Sequence, residues 1–129
     1  MANTVTQITL LGAGDDKNVY RLIHILSDGS EETDLVIYDN STLIADVTKG
    51  TLQQVWVHGD ASTLRLEWDQ STDSPIGSFN ALSGSHYDFR SFGGIPNPGA
   101  TGATGDIVLT TATLDSTDEV TIILHVTQN

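Results

Sequence analysis

The sequence predicts an all-β protein, a single antiparallel β-sandwich of jelly-roll-like architecture with about eight to ten strands. Helical periodicity is nearly absent, because runs with apolar side chains at i, i+3, i+4 and i+7 are interrupted by Gly, Asp, Asn or Thr. Short segments rich in β-branched and aromatic residues alternate with turn residues about every eight to twelve positions. The chain has 129 residues and no linker-like stretch, so it is predicted to form one domain spanning residues 1–129.

The predicted strands are Thr4–Leu11, Asn18–Ser27, Thr33–Asp39, Leu43–Val47, Leu52–His58, Thr63–Asp69, Ser78–Leu82, Tyr87–Phe92, Asp106–Ala112 and Glu119–Thr127. Residues that favour turns separate them, as at Asp28-Gly29, Gly59-Asp60 and Asp73-Ser74-Pro75.

Alternation within three strands predicts which side chains are buried. In "VTIILHVT" the side chains of Val120, Ile122, Leu124 and Val126 share one face, which is typical of a half-buried strand. In "TLRLEWD" the apolar residues, including Trp68, likewise share one face, and we assign Trp68 to the core. The segment "VYRLIHIL" is apolar on both faces, which predicts a central strand or one partly covered by a partner.

Composition excludes several classes of function. Five Lys and Arg residues against seventeen Asp and Glu give a net charge of −12, and the basic residues form no cluster, so DNA, RNA and anionic membranes are not expected partners. The chain has no cysteine, which excludes disulfides, thiolate metal sites and cysteine nucleophiles. The first residues, "MANTVTQITLLGAGDD", contain neither a basic region nor a long apolar run. We therefore expect a soluble protein made in a cytoplasm.

The densest glycine lies in "GGIPNPGATGATGDIVLTT", and it does not match a nucleotide-binding motif. A Walker loop needs a lysine, and no lysine follows Lys49. A dinucleotide fingerprint needs a following helix, whereas a strand follows here, and three Gly-X-Y units are too few for collagen. We predict a surface loop over Ile95–Gly105, stiffened by Pro96 and Pro98, whose glycines supply positive φ or close backbone approach.

No catalytic, cofactor-binding or metal-binding residues are predicted. The four histidines His24, His58, His86 and His125 are scattered without metal-ligand spacing, and a solvated or hydrogen-bonded role is expected. No Gly-x-Ser-x-Gly nucleophile elbow exists. The acidic segments "DGSEETD" and "GAGDD" do not match the EF-hand loop and are interpreted as solvated turns.

Trp56 is the one aromatic residue whose orientation raises the question of an interface. If its neighbours Val55 and Val57 face the core, the indole points to the opposite surface, alongside Leu52 and His58. A Trp in that position is either covered by a loop or part of an interface, and both remain open.

The second half of the chain resembles a known class of virion proteins. The segments "VWVHGD", "LRLEWD", "YDFRSFGGIPNPGATGATGDIVLTT" and "VTIILHVTQN", within residues 51–129, are similar to the small β-rich decoration or cement proteins of tailed bacteriophages. The resemblance implies a jelly-roll-like sandwich with no enzymatic activity and no cofactor. It also implies a virion protein that binds the major capsid protein, on the outside of the shell, as a small homo-oligomer such as a dimer or trimer.

The net charge fits that location, because packaged DNA would repel an acidic protein from the inner lining. Candidate contact residues are Trp56, Ile95, Pro96, Asn97 and Pro98, together with the N-terminal segment.

Two alternatives remain open. One is a tail, neck or fibre protein of the virion. The other is a carbohydrate-binding sandwich in which Trp56, Tyr38 or Tyr87 forms a stacking platform. An enzyme is the least favoured class.

Overall fold

The computed structural model describes residues 3–11, 18–40, 50–82, 84–112 and 114–127, and these ranges contain ten β-strands and one 3₁₀ turn. The elements are β1 (Thr4–Leu11), β2 (Asn18–Asp28), β3 (Leu35–Tyr38), β4 (Thr51–Gly59), β5 (Leu64–Trp68), β6 (Ser74–Phe79), β7 (Ser85–Asp88), the 3₁₀ turn Arg90–Phe92, β8 (Ile95–Pro96), β9 (Ile107–Thr111) and β10 (Ser116–Thr127). Within these ranges no helix has the length and apolar character needed to cross a membrane.

The strands form two antiparallel sheets. The larger sheet has the order β1-β2-β10-β4-β7, with β8 also paired to β4, and the smaller sheet has the order β3-β9-β5-β6. From β2 to β5 each successive strand lies in the other sheet, and the chain crosses again before β7, β9 and β10. This connectivity is that of a jelly roll, so the predicted all-β, jelly-roll-like sandwich is confirmed.

The core lies between the inner faces of the two sheets. The four apolar residues of "VTIILHVT" predicted to share a buried face are at most 1% exposed, and Trp68 is 1% exposed. Both predictions are confirmed. The strand that is apolar on both faces, β2, lies between β1 and β10, as its sequence predicts for a central strand.

Strand boundaries differ from the predictions where the sequence resembles a turn. Strand β6 begins at Ser74 and includes Pro75, although Asp73-Ser74-Pro75 reads as a turn. Proline is tolerated because β6 is the edge strand of the smaller sheet. Strand β7 ends at Asp88, and the remainder of the predicted strand 87–92 forms the 3₁₀ turn. The predicted strand Leu43–Val47 lies outside the described residues.

A β-bulge in β4 corrects the prediction that Leu52 lies beside Trp56. Val126 of β10 pairs with Leu52, and His125 pairs with Gln54, so Gln53 is an extra residue in β4. The extra residue reverses the alternation of faces. As a result Leu52 is fully buried in the core, while Val55 and Val57 are also buried and Trp56 points outward.

The glycine-rich segment lies mostly on the surface, as predicted, but its first residues are part of the sheet. Ile95 and Pro96 form β8 and pair with Leu52 and Thr51. All five glycines of the segment have positive φ, which confirms the predicted reason for their presence: Gly93, Gly94, Gly99, Gly102 and Gly105.

Candidate binding surface

The outer face of the larger sheet, which points away from the smaller sheet, carries a continuous row of apolar and aromatic side chains. Ile8 of β1 pairs with Leu22 of β2, which pairs with Ile123 of β10. Ile123 pairs with Trp56 of β4, which pairs with His86 of β7. Residues directly opposite one another in adjacent strands have neighbouring side chains, so these five form one row across five strands.

Two further rows flank this one, and we call the three together the outer patch. One flanking row consists of Thr6, His24, Thr121 and His58. The other consists of Tyr20, His125, Gln54 and Asp88.

Part of the outer patch is apolar and exposed. Ile8 is 48% exposed, and next to the patch Leu10 is 50% and Leu26 is 41% exposed. An antiparallel sheet in a sandwich needs one apolar face to pack on the core, and its other face is commonly polar. Folding of the single chain therefore does not account for apolar residues on this second face, and grouped exposed apolar residues mark interaction sites.

The fold brings all four histidines of the chain to the outer patch. His24 and His58 lie on either side of Thr121, while His86 and His125 both form hydrogen bonds with Gln54. Sequence spacing could not show this, because the four residues come from four different strands and meet only through the register of the sheet. The expected solvated or hydrogen-bonded role holds for all four. His24 Nε2 lies 3.1 Å from Glu119 Oε1, His86 and His125 form hydrogen bonds with Gln54, and His58 is exposed.

A hydrogen-bonded network holds the aromatic part of the patch in place. The amide of Gln54 accepts a hydrogen bond from His86 Nε2 at 2.8 Å and donates one to His125 Nδ1 at 3.1 Å. His125 Nε2 then donates to Asn18 Oδ1 at 2.9 Å. Burial, with a smaller contribution from Arg90, lowers the pKa of His125, which keeps this imidazole neutral.

Two pairs of stacked rings accompany the network. Trp56 and His86 stack with centroids 4.6 Å apart and an interplanar angle of 2°. Tyr20 and His125 stack at 4.3 Å and 5°, and the Tyr20 ring lies 6.4 Å from that of Trp56. Because each ring is supported by another, their positions are fixed before any partner binds.

The outer patch contains few acidic or basic side chains, in a chain whose net charge is −12. Among its three rows, Asp88 is the one carboxylate, and Arg90 donates to both of its oxygens at 2.9 and 2.7 Å. These hydrogen bonds lower the pKa of Asp88 to about 2. Glu119, just beyond the patch, is paired with His24.

The structure places the sequence-predicted contact residues in two separate regions. Trp56 is half-buried in the outer patch, whereas Ile95 pairs four residues away along β4, about 13 Å distant. Pro96 and Pro98 are exposed, but Ile95 packs against the core. Asn97 is buried, and its backbone N–H donates to Gly50 O at 2.9 Å.

Of the three aromatic residues considered as a stacking platform for carbohydrate, only Trp56 points outward. Tyr38 is fully buried, and Tyr87 packs on the core with its ring edge-on to Phe79, 4.8 Å away. Trp56 points outward, but His86 covers one face of its indole. A sugar ring stacks on an exposed aromatic face. The structure therefore exposes less aromatic surface for a sugar than three outward-facing rings would provide.

Three acidic side chains around the smaller sheet lie close to one another. Carboxylate oxygens of Asp34, Glu67 and Asp73 lie within 4.8 Å of one another. Glu31, in the segment interpreted as a solvated turn, instead accepts hydrogen bonds from Thr111 Oγ1 at 2.7 Å and from the Leu114 N–H at 3.0 Å. This carboxylate therefore ties the segment before β3 to the segment after β9.

Comparison with known proteins identifies no family. No family model matches the chain, and no curated protein matches its sequence. A solved structure described as "BiXyn10A CBM1 APO" is similar with a TM-score of 0.47 and 12% identity, over 99% of this chain and 92% of that one. Another, described as "CBM4 structure and function", has a TM-score of 0.28 and 6% identity over 89% of this chain and 86% of that one. At these values neither likeness supports a functional conclusion.

Proposed function

We propose that this protein is a non-enzymatic capsid decoration protein of a tailed bacteriophage, and that it binds the outside of the major capsid protein shell through the outer patch. The observation that carries the proposal is the row of apolar and aromatic residues across five strands, with Ile8 48% exposed. A second apolar face on a sandwich sheet is explained by a protein partner that covers it.

Two further observations support the capsid as that partner. Residues 51–129 resemble phage decoration proteins, and this range includes strands β4, β7 and β10 of the outer patch. The net charge of −12 disfavours contact with packaged DNA and keeps the exposed surface of a decorated particle soluble. Since a shell offers many equivalent sites, a modest interface repeated in many copies is sufficient to stabilise it.

The direct test is binding to capsid shells that lack this protein, prepared from the phage that carries its gene. The wild-type protein should co-sediment with the shells and raise their melting temperature. Ile8→Asp places a charge in the outer patch and should abolish co-sedimentation at micromolar protein. Ser78→Asp makes the same change in charge at an exposed position of β6 in the smaller sheet and should bind normally.

Circular dichroism melting of both variants controls for loss of the fold. Absence of wild-type binding would contradict the proposal. Equal binding by the two variants would show that the outer patch is not the contact. Labelling of intact virions would distinguish a head protein from a tail, neck or fibre protein, since decoration gives signal over the whole head.

A further inference from the structure

A cleft of about 470 Å³ opens within the outer patch, between β4, β7 and β10. Trp56 and Ile123 form its apolar wall, His58, His86 and Thr121 surround it, and Gly84 lies at one end. None of the residues that line it carries a carboxylate, a lysine or an arginine. The cleft is thus an uncharged, partly apolar depression with a polar rim.

The walls of the cleft are held in position in the free protein. His86 is fixed from two sides, by its stack on Trp56 and by its hydrogen bond to Gln54. Gly84 has φ +65°, and a Cβ added there would lie 2.9 Å from His58 Cδ2, so the backbone packs directly against that imidazole. A preformed cleft loses little conformational entropy when a group enters it.

The chemistry of the cleft favours an aromatic side chain with a polar tip. The apolar wall suits an aromatic ring, and the imidazole nitrogens and the Thr121 hydroxyl can exchange hydrogen bonds with a phenolic oxygen. Within the cleft an arginine or lysine gains no ion pair, because its lining offers no carboxylate; the carboxylates of Asp60 and Glu119 line the adjoining depression beyond His58 and Thr121. A sugar lacks a fully open indole face, since His86 stacks on Trp56 at 4.6 Å.

We infer that this cleft is the anchor pocket of the interface and receives one aromatic side chain, of the tyrosine type, from the protein partner. The inference rests on the proposed function for the identity of the partner, the capsid shell, but the pocket itself can be tested without shells. Binding energy at protein interfaces concentrates in a few buried aromatic anchors, so blocking one pocket should remove most of the affinity.

The first experiment titrates the isotopically labelled protein with N-acetyl-L-tyrosinamide and follows the Trp56 indole N–H and the Thr121 amide by NMR. Saturable shifts at these groups, absent with N-acetyl-L-alaninamide, are expected. Thr121→Trp fills the cleft and should abolish them, whereas Ser78→Trp adds the same side chain at an exposed position of β6 in the smaller sheet and should retain them. No saturable shift in the wild type, or a tighter response to cellohexaose than to the tyrosine probe, would overturn the inference.

The second experiment repeats shell binding with the same two variants. Thr121→Trp should weaken binding about 30-fold or more, and Ser78→Trp by less than about threefold. If Thr121→Trp binds normally while Ile8→Asp does not, the proposed function stands and the anchor pocket is refuted. If the wild type does not bind shells, the proposed function fails and the tyrosinamide titration alone decides on the pocket. That titration needs only the wild type, so it remains decisive even if Thr121→Trp does not fold.

Discussion

At the scale of single residues, Gln54 links the two stacked ring pairs of the outer patch through hydrogen bonds to His86 and His125. It can serve His86 as an acceptor and His125 as a donor only while His125 Nδ1 carries no proton. Protonation of His125 would set two donors against each other at a distance of 3.1 Å and would force the amide to turn. Burial of the ring, followed by the nearby charge of Arg90, lowers the pKa of His125 and so favours the same neutral form.

His125 makes the stability of the folded protein depend on pH in a defined direction. The pKa of His125 is lower in the folded state than its ordinary value of 6.5, so the unfolded chain takes up the proton first as pH falls. The contribution to stability is complete above pH 6.5 and is lost as pH falls from there through the lowered pKa of the folded state. Melting temperatures measured from pH 8 to pH 5 should decrease, and His125→Gln should flatten that decrease. An unchanged slope in the variant would contradict the account.

Substitution of Gly93 and of Gly94 tests how closely the glycine-rich segment packs against β4. Both have φ +90°, but a Cβ at Gly94 would lie 2.5 Å from Thr51 Cγ2 and 2.9 Å from Leu52 O, whereas a Cβ at Gly93 meets nothing within 4 Å. Gly93→Ala should cost about 1–2 kcal/mol from backbone strain alone. Gly94→Ala should cost about 3 kcal/mol or more, because overpacking is added to the strain. Urea denaturation measures both, and equal losses would show that the contact with β4 is not tight.

At the scale of secondary-structure elements, the bulge in β4 determines which side chains reach the outer patch. If β4 paired regularly with no bulge at Gln53, strict alternation would place Leu52 and Trp56 on the same face. The bulge instead lets both ends of the strand contribute to the core while Trp56 points outward. Bulges of this kind re-aim side chains at functional surfaces.

Substitution of leucines on the two faces checks this assignment. Leu52→Ala should lower the free energy of unfolding by about 2–5 kcal/mol, because the side chain is fully buried. Leu26→Ala, at a position 41% exposed on the outer face of β2, should cost less than about 1 kcal/mol. Chemical denaturation compares the two variants. A small loss of unfolding free energy for Leu52→Ala would indicate that Leu52 lies on the surface and that β4 has no bulge at this position.

The sequence predicts strands, burial and backbone conformation well where a local pattern, such as alternation of apolar and polar residues, continues without a break. Strand β10 and the core position of Trp68 follow from unbroken alternation, and the positive φ of the five glycines follows from their lack of a Cβ. The bulge in β4 and the strand through Pro75 are decided by pairing with neighbouring strands, which local sequence does not encode.

Of the outer patch, the sequence predicts only the outward orientation of Trp56. The clustering of the four histidines depends on which strands are neighbours and in what register, and so does the apolar row. The sequence signals that could have indicated it are weak: "VYRLIHIL" is apolar on both faces, and Ile123 lies on the more polar face of "VTIILHVT".

At the scale of the whole molecule, charge and apolar surface are separated. The chain carries −12, yet the three rows of the outer patch contain one carboxylate, which is neutralised by Arg90. A surface that is acidic elsewhere and carries few charges over the outer patch disfavours the approach of further copies in most orientations and favours docking through the patch. The proposed function predicts such a separation, because a decoration protein would cover the shell on one side and face solvent on the other.

The central claim is that the outer face of the larger sheet contacts the capsid. It is tested most directly by a cryo-electron microscopy reconstruction of the particle that carries this protein. The account predicts density for the sandwich on the outside of the head, with β1, β2, β10, β4 and β7 against the shell and the smaller sheet facing solvent. Density in which the smaller sheet lies against the shell and the outer patch faces solvent would contradict it, as would density confined to the tail.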